Sequence, residues 1–257
     1  MDVATTAAEI VSVHEDAPLD ADAINEICFT HPAVAALRSF NENFASRALS
    51  RTELRLFLAS MAAFNRHTIG GIAILAGRLS DQILPLRPRT GHEIGAHVLD
   101  AAIDEYGLRE SATHVELGRR FAEHLGISAA DVGSRANACP TAIELGDALF
   151  SWYREMPTAF SLGVHTASEV TSVKEFMAWH DIFLKFPQYR CTRDQPEFEY
   201  MRAHYVHEPD HVNAARICVE KYLDVLPAHG QLLREGAERY LDLYQSMFHE
   251  LDTLIFR

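Results

Sequence analysis

An all-α protein, folded as a single-domain bundle of seven to ten helices, is what the chain predicts. Three observations carry this. Apolar residues recur every three or four positions over most of the length, capping pairs stand where those runs begin, and no segment alternates apolar and polar residues between turn signals as a strand would. No repeat of 20–50 residues and no low-complexity linker divides the chain. Residues 19–257 therefore read as one domain behind a loose acidic lead-in over 1–18.

The elements follow in order. Asp20 caps a first helix, which His31-Pro32 interrupts, and a second runs to about Arg47. Ser50-Arg-Thr-Glu53 is a capping box that opens a long apolar helix to Leu79. Pro85, Pro88 and Gly91 punctuate a loop, and Ser128 with Asp131 forms a second capping pair. Further helices are expected over 92–106, 111–126, 140–155, 157–186, 196–207, 209–226 and 229–255. The 157–186 helix shows the period best: Leu162, His165, Glu169, Val173, Phe176 and His180 fall on one stripe.

Composition narrows the function classes. Acidic residues outnumber Lys and Arg by 36 to 23, a net charge of −13, which argues against nucleic-acid partners and anionic membrane surfaces. Cys28, Cys139, Cys191 and Cys218 make no CxxC pair and no disulfide framework. The N-terminus lacks the pattern of a signal peptide, and the apolar stretch from Ile69 to Leu79 is too short to span a bilayer, so a cytoplasmic protein is expected. The 14 His invite a search for metal ligands.

The densest cluster is Arg202-Ala-His204-Tyr-Val-His207-Glu208-Pro-Asp210-His211. His207-Glu208-x-x-His211 matches the zincin HExxH motif, but Pro209 removes a backbone donor inside that turn and the HxxGxxH extension is absent. The alternative set His204, Glu208 and His211 stacks at i, i+4 and i+7 on one helix face. Two imidazoles and a carboxylate on one stripe are half of a dinuclear site. Other helices offer the rest: His114, with Glu105 and Glu110 before it, and Glu169 in the middle of an apolar stripe, where a buried carboxylate needs a cation. A metal-free helical enzyme or binding protein with a His-lined pocket is the competing class.

These pieces, in this order, resemble the haem-oxygenase-like diiron oxidases, the iron-containing redox enzyme family. They are Asp104-Glu105-Tyr-Gly, His114-Val-Glu-Leu-Gly-Arg-Arg-Phe, Ala-Ser-Glu169-Val and His204-x3-Glu208-x2-His211, with 55 residues from His114 to Glu169 and 35 more to His204. The resemblance implies a haem-oxygenase-like fold that holds two Fe(II) ions, with O2 as co-substrate and an external electron donor. It implies Glu105, His114, Glu169, His204, Glu208 and His211 as metal ligands. The first carboxylate is either Glu105, which fits the Glu-Gly pattern, or Glu110, one turn before His114. Glu105 is preferred, and Glu110 is kept as an extra carboxylate. Glu208 stands where the family has Asp, and Pro209 beside it predicts a kinked ligand helix.

By period, His165 and His207 are candidates to hydrogen-bond ligand carboxylates. Arg202, Lys174, Arg119, Arg120 and Arg78 are candidates to grip a substrate carboxylate, and of these Arg202 is nearest the ligand motif. The resemblance implies oxidation of a small molecule in a biosynthetic pathway. His165, Thr166, Ser168 and Ser172 favour a nitrogen-containing substrate, through N-oxygenation or oxidative cleavage of an amine or amino acid. Fatty-acid decarboxylation is the alternative within the fold. A homodimer and a reductase partner are both compatible with this reading.

Overall fold

The computed structural model describes residues 19–257, and among them every regular element is helical. In chain order these are α1 (Ala21–Thr30), α2 (Pro32–Ser46), α3 (Arg51–Phe64), α4 (Thr68–Ile83), α5 (Pro88–Glu105), α6 (His114–His124), α7 (Ala129–Gly133), α8 (Pro140–Glu155), α9 (Thr158–Lys185), α10 (Glu199–Val225) and α11 (Gly230–Phe256). The all-α expectation holds. The acidic lead-in expected over 1–18 lies outside the described residues.

Caps set several of the starts. Asp20 Oδ1 accepts from the Ala23 amide at 2.8 Å. At α3 the capping box is complete: Glu53 N donates to Ser50 Oγ at 3.4 Å and Ser50 N to Glu53 Oε2 at 2.7 Å. Ser128 Oγ accepts from Asp131 N at 3.1 Å and starts the short α7.

Helix α9 is the axis of the bundle. Its residues from Ala159 to Ala167 are buried without a break, as befits a helix covered on all sides. It packs on α11, α10, α2, α1, α4 and α8. Two glycines let α9 and α11 touch backbone to backbone. A Cβ on Gly163 would sit 1.9 Å from the Leu233 carbonyl oxygen, and one on Gly236 would sit 2.0 Å from that of Phe160. One end of α9 is locked by aromatic packing. Trp179 meets Phe57 edge-on at 5.0 Å, and Phe183 meets Phe44 at 5.5 Å and Phe121 at 4.9 Å. Burying each such ring contributes about 1.5–3 kcal/mol.

Several boundaries differ from expectation. Pro88 and Gly91, expected in a loop, lie in the first turns of α5, where proline is tolerated at the start. The single long helix expected from Ser50 to Leu79 is broken by a 3-10 turn at Asn65–His67. The bend lets both α3 and α4 lie on α8, and Ser60 Oγ on α3 accepts from the Cys139 amide at the start of α8 at 2.9 Å. Conversely, the two helices expected over 196–207 and 209–226 are one, and α10 runs through Pro209. Pro209 is exposed, and the carbonyl it leaves unpaired belongs to exposed Tyr205, where solvent satisfies it. Buried His204, Glu208 and His211 and the packing of α10 on α9 hold the helix together across it. Among the described residues no helix is long and apolar enough to cross a membrane, and all four cysteines are free.

Candidate metal centre

Four elements bring their polar side chains to one buried place. Glu105 ends α5, His114 opens α6, Glu169 lies mid-way along α9, and His204, Glu208 and His211 lie on α10. The link between α5 and α6 is short and held. Gly107 turns it at φ +72°, where a Cβ would strike the Ala112 carbonyl oxygen at 2.0 Å. Ser111 N then donates to Glu199 Oε1 at 2.9 Å, which ties the link to the first turn of α10.

The six side chains form two triads. Glu105, His114 and His204 offer one donor atom each within 4.8 Å of one another, and so do Glu169, Glu208 and His211. These are the six residues that the resemblance implied as ligands. In the first triad His114 Nδ1 lies 3.3 Å and His204 Nε2 3.8 Å from Glu105 Oε1. In the second, His211 Nδ1 lies 3.6 Å from Glu169 Oε2 and 3.8 Å from Glu208 Oε2.

Hydrogen bonds outside the triads orient the rings. His204 Nδ1 donates to the Tyr200 carbonyl at 2.8 Å, which leaves the Nε2 lone pair toward Glu105, and Phe176 stacks on the ring at 3.8 Å. His211 Nε2 donates to Asp104 Oδ2 at 2.6 Å, which turns its Nδ1 toward the second triad. Asp104 is fully buried and also accepts from Arg109 Nη1 at 2.7 Å. Sequence reasoning quoted Asp104 but gave it no role. The available signal was an acid beside Glu105 with an arginine five residues later.

The remaining candidates divide. His165 Nδ1 lies 3.3 Å from Glu169 Oε1, beside that carboxylate but without the expected hydrogen bond to it. Glu110 is buried but stands outside both triads, 3.6 Å from His114 Nε2 and 3.3 Å from His207 Nε2. His207 therefore meets Glu110 rather than a triad carboxylate, and its side chain is 27% exposed. At about 100° per residue, His204, Glu208 and His211 fall within about 60° of arc, and His207 lies about 40° beyond it. His207 turns to Glu110 while His211 faces Asp104 and Glu169, so the two do not form a zincin pair, although α10 is not interrupted. Arg202 is a correction: it donates to the Arg193 carbonyl at 2.7 Å and does not line the cavity described below. Arg78 is likewise spent on the Tyr153 carbonyl, at 2.7 Å.

The electrostatics are those of a site built for a cation. Burial, reinforced by Glu208, pushes the Glu169 carboxyl up to about 8. Glu208 is raised by burial as well. Burial alone would lower His211, but Glu208, Glu169 and Asp104 around it raise it to about 10. Burial holds His165 and His204 down to about 3, so both are neutral. Both ring nitrogens of His114, His165 Nδ1 and Glu208 Oε2 are buried with no hydrogen-bond partner. Orphaned atoms of this kind are costly, and metal ions satisfy them. Three imidazoles and three carboxylates fit iron well as a donor set.

A cavity of about 420 Å³ opens from the triads, and all six of their residues line it. Ser168 and Ser172 beside Glu169, the apolar Ala59, Ala62 and Ala122, and Arg66, Arg119 and Arg135 also line it, with Arg66 and Arg135 exposed to solvent. That volume lies within the range of small-molecule sites, about 300–1,000 Å³.

No curated protein matches the chain. A family model described as iron-containing redox enzyme, haem-oxygenase-like in fold, matches residues 70–245, well over half of the chain and all six triad residues. The protein thus belongs to the iron-containing redox enzyme family.

Proposed function

We propose that the protein is a non-haem diiron oxidase or oxygenase that spends O2 on a small nitrogen-containing metabolite, by N-oxygenation or oxidative cleavage of an amine or amino acid. The observation that carries this is the pair of buried triads, three imidazoles and three carboxylates, that share α10 and open on one cavity. Glu105, His114 and His204 would hold one iron, and Glu169, Glu208 and His211 the other. Two Fe(II) ions there supply two electrons for the reduction of O2, and an external donor or reductase restores them. With +4 from the metals and −3 from the carboxylates, the burial cost of the site falls steeply.

The chain's own residues do the rest. Asp104 and the Tyr200 carbonyl orient the two rings, so that Nδ1 of His211 and Nε2 of His204 already face inward. His165 stands behind Glu169, with Nδ1 3.3 Å from its Oε1. Ser168 and Ser172, beside Glu169, offer hydroxyls to an amine or amino group at the inner end. The alanine-lined walls favour a second reading, oxidation of a medium-chain acid such as a fatty acid.

Iron per chain and O2 uptake test the proposal, measured after anaerobic loading with Fe(II) for the parent, His204→Ala and His207→Ala. Two irons are expected in the parent. His204→Ala should lose at least one and abolish rapid O2 uptake, while His207→Ala should keep most of both. A parent that binds no iron, or equal losses in the two variants, overturns the assignment.

A further inference from the structure

Charge is distributed unevenly around the cavity. Apart from Glu105, Glu169 and Glu208, no carboxylate lines it, yet Arg66, Arg119 and Arg135 do. Acids outnumber Lys and Arg by 36 to 23 in the chain, so three arginines on one cavity run against the composition. Two of these arginines are already committed. Arg119 pairs with Glu116 and Glu123, each at 2.6 Å, and Arg135 with Asp147 at 2.6 Å. Arg66, in the turn between α3 and α4, is exposed and has no ion-pair partner among the described residues. Two residues beyond it the hydroxyl of Thr68, which also lines the cavity, is buried with no hydrogen-bond partner, and Asn65 directly precedes Arg66.

We propose that Arg66, with Thr68 and Asn65 beside it, is the anchor for an anionic group of the substrate. Of the substrates proposed above, this favours one that carries a carboxylate, an amino acid or a medium-chain acid, over a simple amine. Its carboxylate meets Arg66 at the rim, its apolar body lies along Ala59 and Ala62, and its reacting end reaches the triads. This rests on the triads being the reacting end, as proposed above. A guanidinium suits the task because its planar fork binds a carboxylate through two parallel hydrogen bonds and stays charged at any working pH. The break between α3 and α4 acquires a purpose as well, since it is this turn that carries Asn65, Arg66 and, just after it, Thr68 to the cavity.

Three probes with one apolar body separate charge from fit: phenylbutyrate, phenylbutylamine and phenylbutanol. Each is titrated calorimetrically into the full chain loaded anaerobically with Fe(II), and iron per chain is counted in the same samples. Phenylbutyrate should bind about tenfold more tightly than the amine, the worth of one charge-assisted contact. Arg66→Gln should remove most of that ratio and leave the affinity for phenylbutanol and the iron count unchanged. Arg66→Lys should retain part of it. A ratio near one or inverted, a ratio that survives Arg66→Gln, or no binding of any probe at millimolar concentration overturns the proposal. A chain that holds no iron yet keeps the Arg66-dependent ratio overturns the diiron reading and leaves the anion site standing.

Discussion

At the scale of single residues, Asp104 shows how much of the site lies behind the ligands. Its carboxylate takes the Nε2 proton of His211 at 2.6 Å and is itself held by Arg109 at 2.7 Å. Together they choose which nitrogen of His211 faces Glu169 and Glu208. Asp104→Asn keeps the shape but can present its amide to Nε2, which no longer requires the proton there. Backing groups of this kind are worth about 10–100-fold in metal affinity. Titration of Fe(II) into Asp104→Asn should therefore show weakening of one iron of the two by about that factor, with the other unchanged. Equal weakening of both sites, or of neither, would contradict the role. Legibility follows the same physics. Glu169 could be found because a carboxylate on an apolar stripe is anomalous, and His204, Glu208 and His211 because their spacing repeats the helix period. Asp104 could not. Adjacent helix positions point about 100° apart, so nothing in the spacing says that 104 and 105 serve the same site. Arg66 was invisible for a related reason, since it lies in a turn that the sequence does not announce.

At the scale of elements, the expectation of a broken helix at Pro209 gave local propensity more weight than tertiary packing. A proline inside a helix costs about 3 kcal/mol, but α10 buries three triad residues and lies along α9, and that outweighs the loss. Pro209→Ala restores the hydrogen bond to Tyr205 and removes the ring's clash, partly offset by a more flexible unfolded chain. It should stabilise the protein by about 2 kcal/mol in urea unfolding and leave iron per chain at its parental value. A lower iron count in the stabilised variant would mean that Pro209 shapes the ligand helix after all. The opposite error was made between α3 and α4. There no proline or glycine precedes the break, and only the demand that both helices lie on α8 creates it. The start of α3 was legible from its capping box, and α8, α9 and α11 were legible within a residue from prolines and the apolar period, whereas the break between α3 and α4 and the continuity of α10 depend on packing.

At the scale of the whole molecule, the interior of α9 carries a second buried acid that the triads do not use. Glu175 accepts a hydrogen bond from the Tyr244 hydroxyl on α11, and burial, against that hydrogen bond, pushes its carboxyl up to about 8. The unfolded chain titrates near the ordinary value of 4.5. Below that value both states carry the proton and Glu175 costs nothing electrostatically. As pH rises from 4.5 towards 8 the unfolded chain ionises while the folded one keeps its proton, so stability is lost progressively, and above about 8 the full penalty remains. Glu175→Gln keeps an acceptor for Tyr244 and cannot ionise. In iron-free protein its Tm should match the parent's near pH 4.5 and exceed it by a growing margin up to about pH 8, by roughly 2–4 °C for each kcal/mol recovered. A Tm difference that stays flat across that window would show that Glu175 is ionised in the fold and that a cation or a proton donor compensates it there. The same measurement with Fe(II) added carries a further expectation. The Glu208 charge helps to raise Glu175, so iron held at the second triad should offset part of that penalty and narrow the Tm gap between parent and variant near pH 8.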